Sequence, residues 1–169
     1  GIADTDGRSG EATVRKNKSG IVVKGLHDLA VRFSRCCNPV PGDEIVGFVT
    51  RGRGVSIHRT DCINVINLPE DERGRLIDAE WQVAENPTST EQYSTEIQIF
   101  ANNRIGLFAD ISKVFTEKQI DITSMNVRTS KQGRATIIMT FDIHGTEELN
   151  RITDKIRQID GVLDIQRTT

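Results

Sequence analysis

Three cysteines and one histidine, side chains that commonly bind metal ions, lie in one short stretch of the sequence: Cys36, Cys37, His58 and Cys62. Thiolates and neutral imidazole suit zinc, and three sulfur ligands with one nitrogen ligand form a known structural zinc site. His58 and Cys62 are four residues apart, and they come together if a helix begins near Arg59. The four residues therefore predict a zinc site that could replace a missing core in a small domain.

The adjacency of Cys36 and Cys37 leaves a second interpretation open. In an extended chain, neighbouring side chains point to opposite faces, so both thiols bind one ion only across a kink. In the alternative interpretation the cysteines are small buried hydrophobic residues, and His58 contacts RNA or the backbone. Three cysteines, two of them adjacent, are not typical of a secreted disulfide framework, so we expect a reduced, cytoplasmic protein.

Basic side chains are concentrated in the same stretch. Residues 21–62 carry six basic and four acidic side chains, whereas residues 63–92 carry two basic and seven acidic ones. Gly52 and Gly54 would let the backbone approach a phosphate closely, and arginine binds phosphate in a forked geometry. The candidate phosphate-binding residues are Lys24, Arg32, Arg35, Arg51, Arg53, His58 and Arg59. The alternative is that this modest positive charge is an ordinary solvated face.

The length and composition favour a small globular protein with no membrane span. The chain has 169 residues, a net charge of -2, 36% hydrophobic residues and 27% charged residues. This length allows one domain or two small ones. The apolar runs are only a few residues long, whereas a helix that spans a bilayer needs about 20. The N-terminus has no apolar segment typical of a secretory signal.

The second half of the chain has a clear pattern of two helices and four strands. Alternating apolar residues predict strands over 93–101, 122–129, 135–143 and 162–167. Apolar residues at helical spacing predict one helix from Leu107 and another that Thr146 caps. The order βαββαβ predicts a ferredoxin-like sandwich with both helices on one face of an antiparallel sheet.

The first half is less regular and predicts a small β-rich unit. We expect strands over 20–24, 44–50, 55–58 and 77–83, with a hairpin across residues 51–54. Thr60 is expected to cap a short helix that ends at Ile66. The predicted organisation is a flexible linker (1–19), a β-rich domain (20–84), a polar linker (85–92) and a βαββαβ domain (93–169).

The sequence over 36–62 resembles the C-terminal regulatory region of the long RelA/SpoT-family (p)ppGpp synthetase/hydrolases. In that family this module has been called a zinc-finger domain or a ribosome-intersubunit domain, and an ACT domain with the βαββαβ fold follows it. The resemblance covers 20–169 and implies an α+β protein with these two domains. It also implies a parent enzyme, a GTP pyrophosphokinase, that transfers pyrophosphate from ATP to GDP or GTP. The catalytic domains of the family precede this region, so we expect no catalytic residue in this chain.

The resemblance also implies partners. Ribosomal RNA would contact the basic residues, beside an uncharged tRNA, and the N-terminal catalytic domains of the parent would be the regulated partner. ACT domains also pair with one another, so a homodimer is an expected assembly. On this interpretation the chain senses the ribosome and uncharged tRNA.

A turn in the second half resembles the ligand loop of ACT domains. Its residues, and the candidate ligand contacts, are Asn103, Arg104, Ile105, Gly106 and Leu107. The free N–H groups of the helix that follows could bind a carboxylate, and branched-chain amino acids are the first candidates by family analogy. Alternatively, Asn103 only caps the helix. The alternative function is thus an amino-acid sensor that biases hydrolase against synthetase activity.

Overall fold

The computed structural model describes residues 20–23, 30–52, 54–82 and 91–168. The predicted linker over 1–19, most of the predicted linker over 85–92, and the candidate residues Lys24 and Arg53 lie outside the described residues. The chain divides into two compact units. The first contains residues 20–39 and 43–82, and the second contains residues 40–42 and 91–168.

The first unit is built on a five-stranded sheet with the order β1-β5-β3-β4-β2. Its strands are β1 (Ile21–Val23), β2 (Val31–Phe33), β3 (Ile45–Thr50), β4 (Gly54–Arg59) and β5 (Leu76–Trp81). The predicted hairpin is confirmed, because β3 and β4 pair antiparallel from Ile45↔Arg59 to Thr50↔Gly54. Strand β2 is an addition that the alternation pattern did not predict, since it has only three residues and pairs parallel to β4.

The hydrophobic core of the first unit is small. Five buried residues form its centre, namely Ile21, Val23, Val55, Ile57 and Ala79. Phe33 stacks on Trp81 at one side, with 5.5 Å between ring centroids. The Trp81 indole Nε1–H donates a hydrogen bond of 3.0 Å to the Asp43 carbonyl, which satisfies the polar edge of a partly buried ring.

The helix of the first unit begins later than the sequence predicted. Helix α1 spans Ile63–Ile66, a single turn, and Cys62 rather than Thr60 occupies its N-cap position. The Cys62 N–H donates to the Arg59 carbonyl at 3.1 Å, so a turn separates strand β4 from the helix. This delay places Cys62 directly after the turn, at the point where the chain reverses.

The second unit has the predicted βαββαβ order and a sheet of order β7-β8-β6-β9, with every neighbouring pair antiparallel. Its elements are β6 (Tyr93–Asn102), α2 (Leu107–Glu117), β7 (Ile122–Thr129), β8 (Arg134–Ile143), α3 (Thr146–Arg157) and β9 (Val162–Arg167). One buried cluster contains side chains from the two central strands and both helices, including the edge-to-face pair Phe115–Phe141 at 4.9 Å. The ferredoxin-like fold is therefore confirmed.

The N-terminus of helix α3 is not capped by threonine, contrary to the prediction from the sequence. Gly145 occupies the N-cap position, and Thr146 is already the first helical residue. The Glu148 carboxylate accepts hydrogen bonds from both the backbone N–H and the ring Nδ1 of His144, each at 3.2 Å. A glutamate in the third helical position thus accepts a hydrogen bond from the backbone N–H of the residue before the N-cap, which would otherwise have no partner within the helix. Among the described residues, no helix is long and apolar enough to cross a membrane.

We predict that Thr95→Val stabilises the second unit by about 1 kcal/mol. Thr95 is 1% exposed, and its hydroxyl has no hydrogen-bond partner among the described residues. Replacing this hydroxyl with a methyl group removes a buried polar group at nearly constant volume. Urea denaturation of the whole chain measures the change. Thr140→Val is the matched control: the Thr140 hydroxyl donates to Glu96 Oε1 at 3.3 Å, so this change brings no gain. A destabilised Thr95→Val variant would contradict the prediction.

Candidate metal centre and basic surface

A tight turn brings the two adjacent cysteines to one side of the chain. We call residues Ser34–Asn38 the cysteine turn. The Asn38 N–H donates a 3.0 Å hydrogen bond to the Ser34 carbonyl, and Asn38 has a left-handed backbone with φ of +47°. Asparagine tolerates this conformation better than most residues. The turn places the Cys36 and Cys37 sulfur atoms 3.9 Å apart, so it supplies the kink that shared ligation requires.

His58 and Cys62 complete the cluster from the other side. His58 lies near the end of β4, and Cys62 is at the N-cap of α1. Cys36 Sγ lies 3.4 Å from His58 Nδ1 and 3.5 Å from Cys62 Sγ, while Cys37 Sγ lies 3.8 Å from His58 Nδ1. All four ligand atoms lie within 4.8 Å of one another. The structure thus brings together all four residues that the sequence selected.

These spacings match the dimensions of a tetrahedral metal site. With metal–sulfur bonds of about 2.3 Å, two sulfur ligands on a tetrahedral zinc ion lie about 3.8 Å apart. The four separations of ligand atoms given above, from 3.4 to 3.9 Å, are close to that value. The residues form a group that could bind a metal ion, and their donor set of three thiols and one imidazole is that of a structural site.

The imidazole of His58 is oriented by a second residue. Nδ1 faces the cysteines, and Nε2 lies 3.0 Å from the Ser34 hydroxyl. A hydrogen bond at the distal nitrogen fixes the tautomer and the ring plane of a metal-binding histidine. Burial lowers the pKa of His58, which favours the neutral imidazole that metal binding requires. Ser34 was not among the residues selected from the sequence, because a lone serine before a cysteine pair gives no specific signal.

The thiols experience different environments. Burial opposes ionisation of Cys36, but hydrogen bonds with Asn64, Cys62 and Ser34 outweigh it and lower its pKa. Burial raises the pKa of Cys37, although the Arg59 backbone N–H donates to Cys37 Sγ at 3.3 Å. A divalent cation among the thiols would supply the positive charge that a buried thiolate needs.

Arg59, predicted as an RNA contact, is instead buried, with 4% of its surface exposed. Its guanidinium forms a two-pronged ion pair with Asp61, at 2.8 and 3.0 Å, and Nη1 donates to the Cys37 carbonyl at 3.1 Å. Arg59 therefore joins the cysteine turn to the end of β4 and is not part of an open cationic surface. Burial of this side chain follows from contacts distant in sequence, which the spacing of arginines does not reveal.

The other described arginines of the candidate basic surface are exposed. Arg51 lies in the β3–β4 turn, and Arg35 lies in the cysteine turn beside Cys36. Arg32 is on the edge strand β2, and its Nε lies 3.4 Å from the Ser56 hydroxyl. His58 has both ring nitrogens engaged at the metal centre, which favours its role as a ligand over its role as an RNA contact.

The two glycines of the hairpin turn have different roles. A side chain at Gly52 would meet no atom of the described residues within 4 Å, so this part of the backbone is open to a partner. A Cβ at Gly54 would lie 2.2 Å from the Ala30 carbonyl oxygen, to which the Val55 N–H donates at 2.8 Å. Gly54 therefore admits the chain's own backbone, not a phosphate, and only Gly52 retains the predicted role.

The loop that resembles an ACT ligand site is held by its own side chains. Arg104 donates from Nε to the Asp160 carbonyl at 2.9 Å and forms an ion pair of 2.7 Å with Asp110. Gly106, with φ of +84°, occupies the N-cap position, so Asn103 does not cap the helix. Leu107 is fully buried in the core and Ile105 is fully exposed. Burial leaves the Leu107 side chain in the core, and amino-acid binding at this loop stays a prediction.

Comparison with known proteins identifies the family. The model of the RelA/SpoT RIS domain matches residues 21–82, and that of the ACT domain matches residues 89–167. The chain is 40% identical over 150 residues to a GTP pyrophosphokinase of Streptomyces coelicolor, covering 89% of this chain and 17% of that protein. It is 37% identical over 153 residues to the GTP pyrophosphokinase of Escherichia coli K12, covering 90% and 20%. The chain thus spans about a fifth of the length of these relatives.

One similar solved structure is the ACT domain from the GTP pyrophosphokinase of Chlorobium tepidum, which has 22% identity and a TM-score of 0.42 and covers 46% of this chain and 99% of that one. The two domain matches, in the order found here, define a regulatory region of two domains. The chain belongs to the RelA/SpoT family and corresponds to its C-terminal RIS and ACT domains.

We predict that Gly54→Ala destabilises the first unit far more than Gly52→Ala. Both glycines have positive φ, so each alanine costs about 1 kcal/mol for its backbone conformation. Only Gly54→Ala also forces a backbone carbonyl away, and we expect its total cost to exceed about 3 kcal/mol. Thermal unfolding of the two variants measures the difference. Equal losses of stability would contradict the close approach of Ala30 to this turn.

Proposed function

We propose that this chain is the non-catalytic regulatory segment of a GTP pyrophosphokinase, and that its first unit binds ribosomal RNA around a zinc-stabilised turn. In the cytoplasm it would sense the ribosome and an uncharged tRNA and control the N-terminal catalytic domains of the parent enzyme. The observation that carries the proposal is the Cys36/Cys37/His58/Cys62 cluster, whose ligand atoms lie within 4.8 Å of one another in a unit that matches the RIS domain.

Zinc is the metal that the donor set favours. Three thiolates and an imidazole are soft or borderline ligands, whereas magnesium and calcium prefer oxygen. Bound zinc would connect the cysteine turn, the end of β4 and the start of α1. With four protein ligands no coordination position stays open, so the expected role is structural and not catalytic. A unit of about 60 residues buries too little apolar surface to be strongly stable, and such a crosslink compensates.

The metal centre would also position basic side chains for RNA. Arg35 is next to the ligand Cys36, so its backbone position is fixed by the same turn. Arg51 stands at the tip of the β3–β4 hairpin, beside the open backbone of Gly52. Guanidinium groups held on short, rigid turns lose little entropy when they pair with phosphates. The regulatory signal requires that these contacts differ between ribosome-bound and free states.

The zinc proposal predicts one zinc ion per chain after expression with added metal and purification without chelators. Ser34→Ala should lower zinc affinity by about 10- to 100-fold, because it removes the hydrogen bond that orients His58. Competition with a chromogenic chelator measures the affinity. Ser56→Ala is the matched control. Ser56 lies on β4, the strand of His58, but its hydroxyl contacts Arg32 and not the imidazole. A zinc-to-protein ratio near zero would refute the zinc proposal.

The RNA proposal predicts that Arg35→Glu with Arg51→Glu weakens binding of the chain to 70S ribosomes. Each lost phosphate contact should flatten the slope of log affinity against log salt by about 0.7–0.9. Co-sedimentation over a salt series, with and without deacylated tRNA, measures both quantities. Arg73→Glu is the charge-matched control for each of the single variants Arg35→Glu and Arg51→Glu, because Arg73 is an exposed arginine of the acidic 3-10 helix Glu70–Arg75.

Two outcomes of the ribosome experiment would contradict the RNA proposal. Wild-type chain that fails to sediment with ribosomes would remove it, and calorimetry with valine and isoleucine would then test the amino-acid sensor at the Asn103–Gly106 loop. Equal weakening by Arg73→Glu and by each of the single variants Arg35→Glu and Arg51→Glu would show a general charge effect instead of a defined surface. Homodimerisation of the second unit and contact with the catalytic domains stay predictions.

A further inference from the structure

Two of the clustered thiols are positioned to react with each other. Cys36 Sγ and Cys62 Sγ lie 3.5 Å apart, closer than the 3.9 Å between Cys36 Sγ and Cys37 Sγ. All three cysteines are free. We propose that Cys36 and Cys62 form a reversible disulfide under peroxide, and that this oxidation releases the metal from the first unit. The metal-release step rests on the proposed zinc site, whereas disulfide formation does not.

Accessibility selects the first thiol to be oxidised. Cys36 is partly exposed, whereas Cys37 and Cys62 are 1% and 0% exposed. A peroxide therefore reaches the Cys36 sulfur first. The Cys36 thiolate attacks one peroxide oxygen, the O–O bond breaks, and Cys36 becomes a sulfenic acid as one water leaves.

Geometry selects Cys62 as the partner of that sulfenic acid. A disulfide needs its two Cα atoms about 4.4–6.8 Å apart. Neighbouring Cα atoms across a trans peptide are only about 3.8 Å apart, so a Cys36–Cys37 disulfide would strain the backbone. No peptide of the described chain is cis. The Cys37 sulfur also accepts a hydrogen bond from the Arg59 N–H. The Cys62 sulfur lies closer to the Cys36 sulfur than the Cys37 sulfur does.

The second step completes the redox balance. Cys62 sulfur attacks the Cys36 sulfenic sulfur, the S–O bond breaks, and the hydroxide leaves as a second water after protonation. In sum, two thiols and one hydrogen peroxide give one disulfide and two waters, with the two electrons passing from sulfur to peroxide oxygen. The disulfide has no thiolate to offer a cation, so only Cys37 and His58 remain as ligands. Two ligands are too few for a structural zinc site, and the ion leaves.

The test is peroxide treatment of the zinc-loaded 169-residue chain, followed by alkylation of remaining thiols and digestion with trypsin. Cleavage after arginine yields one peptide over 36–51, with Cys36 and Cys37, and another over 60–73, with Cys62. We expect these two peptides to be joined, with Cys37 alkylated, and the mass of the product should lie two hydrogen atoms below the sum of the two peptides with that one alkyl group added. A chromogenic chelator should detect one zinc released per disulfide formed, and dithiothreitol should reverse both changes.

Two variants identify the reacting sulfur. Cys37→Ser should keep the link between the two peptides, whereas Cys36→Ser should reduce its yield by at least about ten-fold. Fragmentation of the joined wild-type peptides locates the linked cysteine without a variant. A disulfide confined to the 36–51 peptide, or a sulfinic acid on Cys36 with Cys62 still alkylated, would overturn the proposal.

Metal analysis before oxidation separates this inference from the zinc proposal. A metal-free chain that still forms the Cys36–Cys62 disulfide would refute the zinc site and the release step, and would support the thiol pair. A zinc-loaded chain that retains both zinc and alkylatable thiols after peroxide treatment would refute the thiol switch and support the metal site.

Discussion

The convergence of four side chains on one point is the constraint on which the first unit depends. Among the described residues, its sheet encloses a core of five buried apolar residues, and its α-helix is one turn long. The cysteine turn, the end of β4 and the start of α1 meet at the Cys/His cluster, where Cys37, Cys62 and Val65 form a second small buried group. The Cys/His cluster therefore joins three segments of this unit beside its small hydrophobic core.

The second unit follows the opposite principle, and this explains why its fold could be predicted. Side chains alternate along β6 and β8 between a buried and a partly exposed face, and each helix buries one apolar stripe. A repeated pattern of this kind averages over many residues, so a single wrong position does not change the result. What the pattern missed was local. At the start of α3, for example, Glu148 accepts a hydrogen bond from the His144 backbone N–H, and no threonine cap forms.

In the first unit, residue types predicted the metal cluster, but the means of forming it could not be predicted. The left-handed Asn38 that kinks the cysteine turn has no distinctive sequence signal, and neither has the short parallel strand β2. The burial of Arg59 and the close approach of Gly54 to Ala30 both depend on contacts between segments far apart in the chain. Sequence spacing therefore identified which groups could act together, while three-dimensional contacts decided which arginines and glycines remain available to a partner.

The Cys/His cluster also adjoins, through peptide bonds, two of the arginines that were candidates for RNA binding. Arg35 precedes Cys36, and Arg59 follows His58, so each arginine backbone is fixed wherever the ligands are fixed. One of these arginines points inward and holds the cysteine turn through the Cys37 carbonyl, and the other is exposed. In the zinc-bound state that we propose, loss of Cys36 as a ligand would remove one restraint on the adjacent Arg35. The chemical state of the cluster's sulfur atoms would thereby affect Arg35, which the proposed function assigns to RNA.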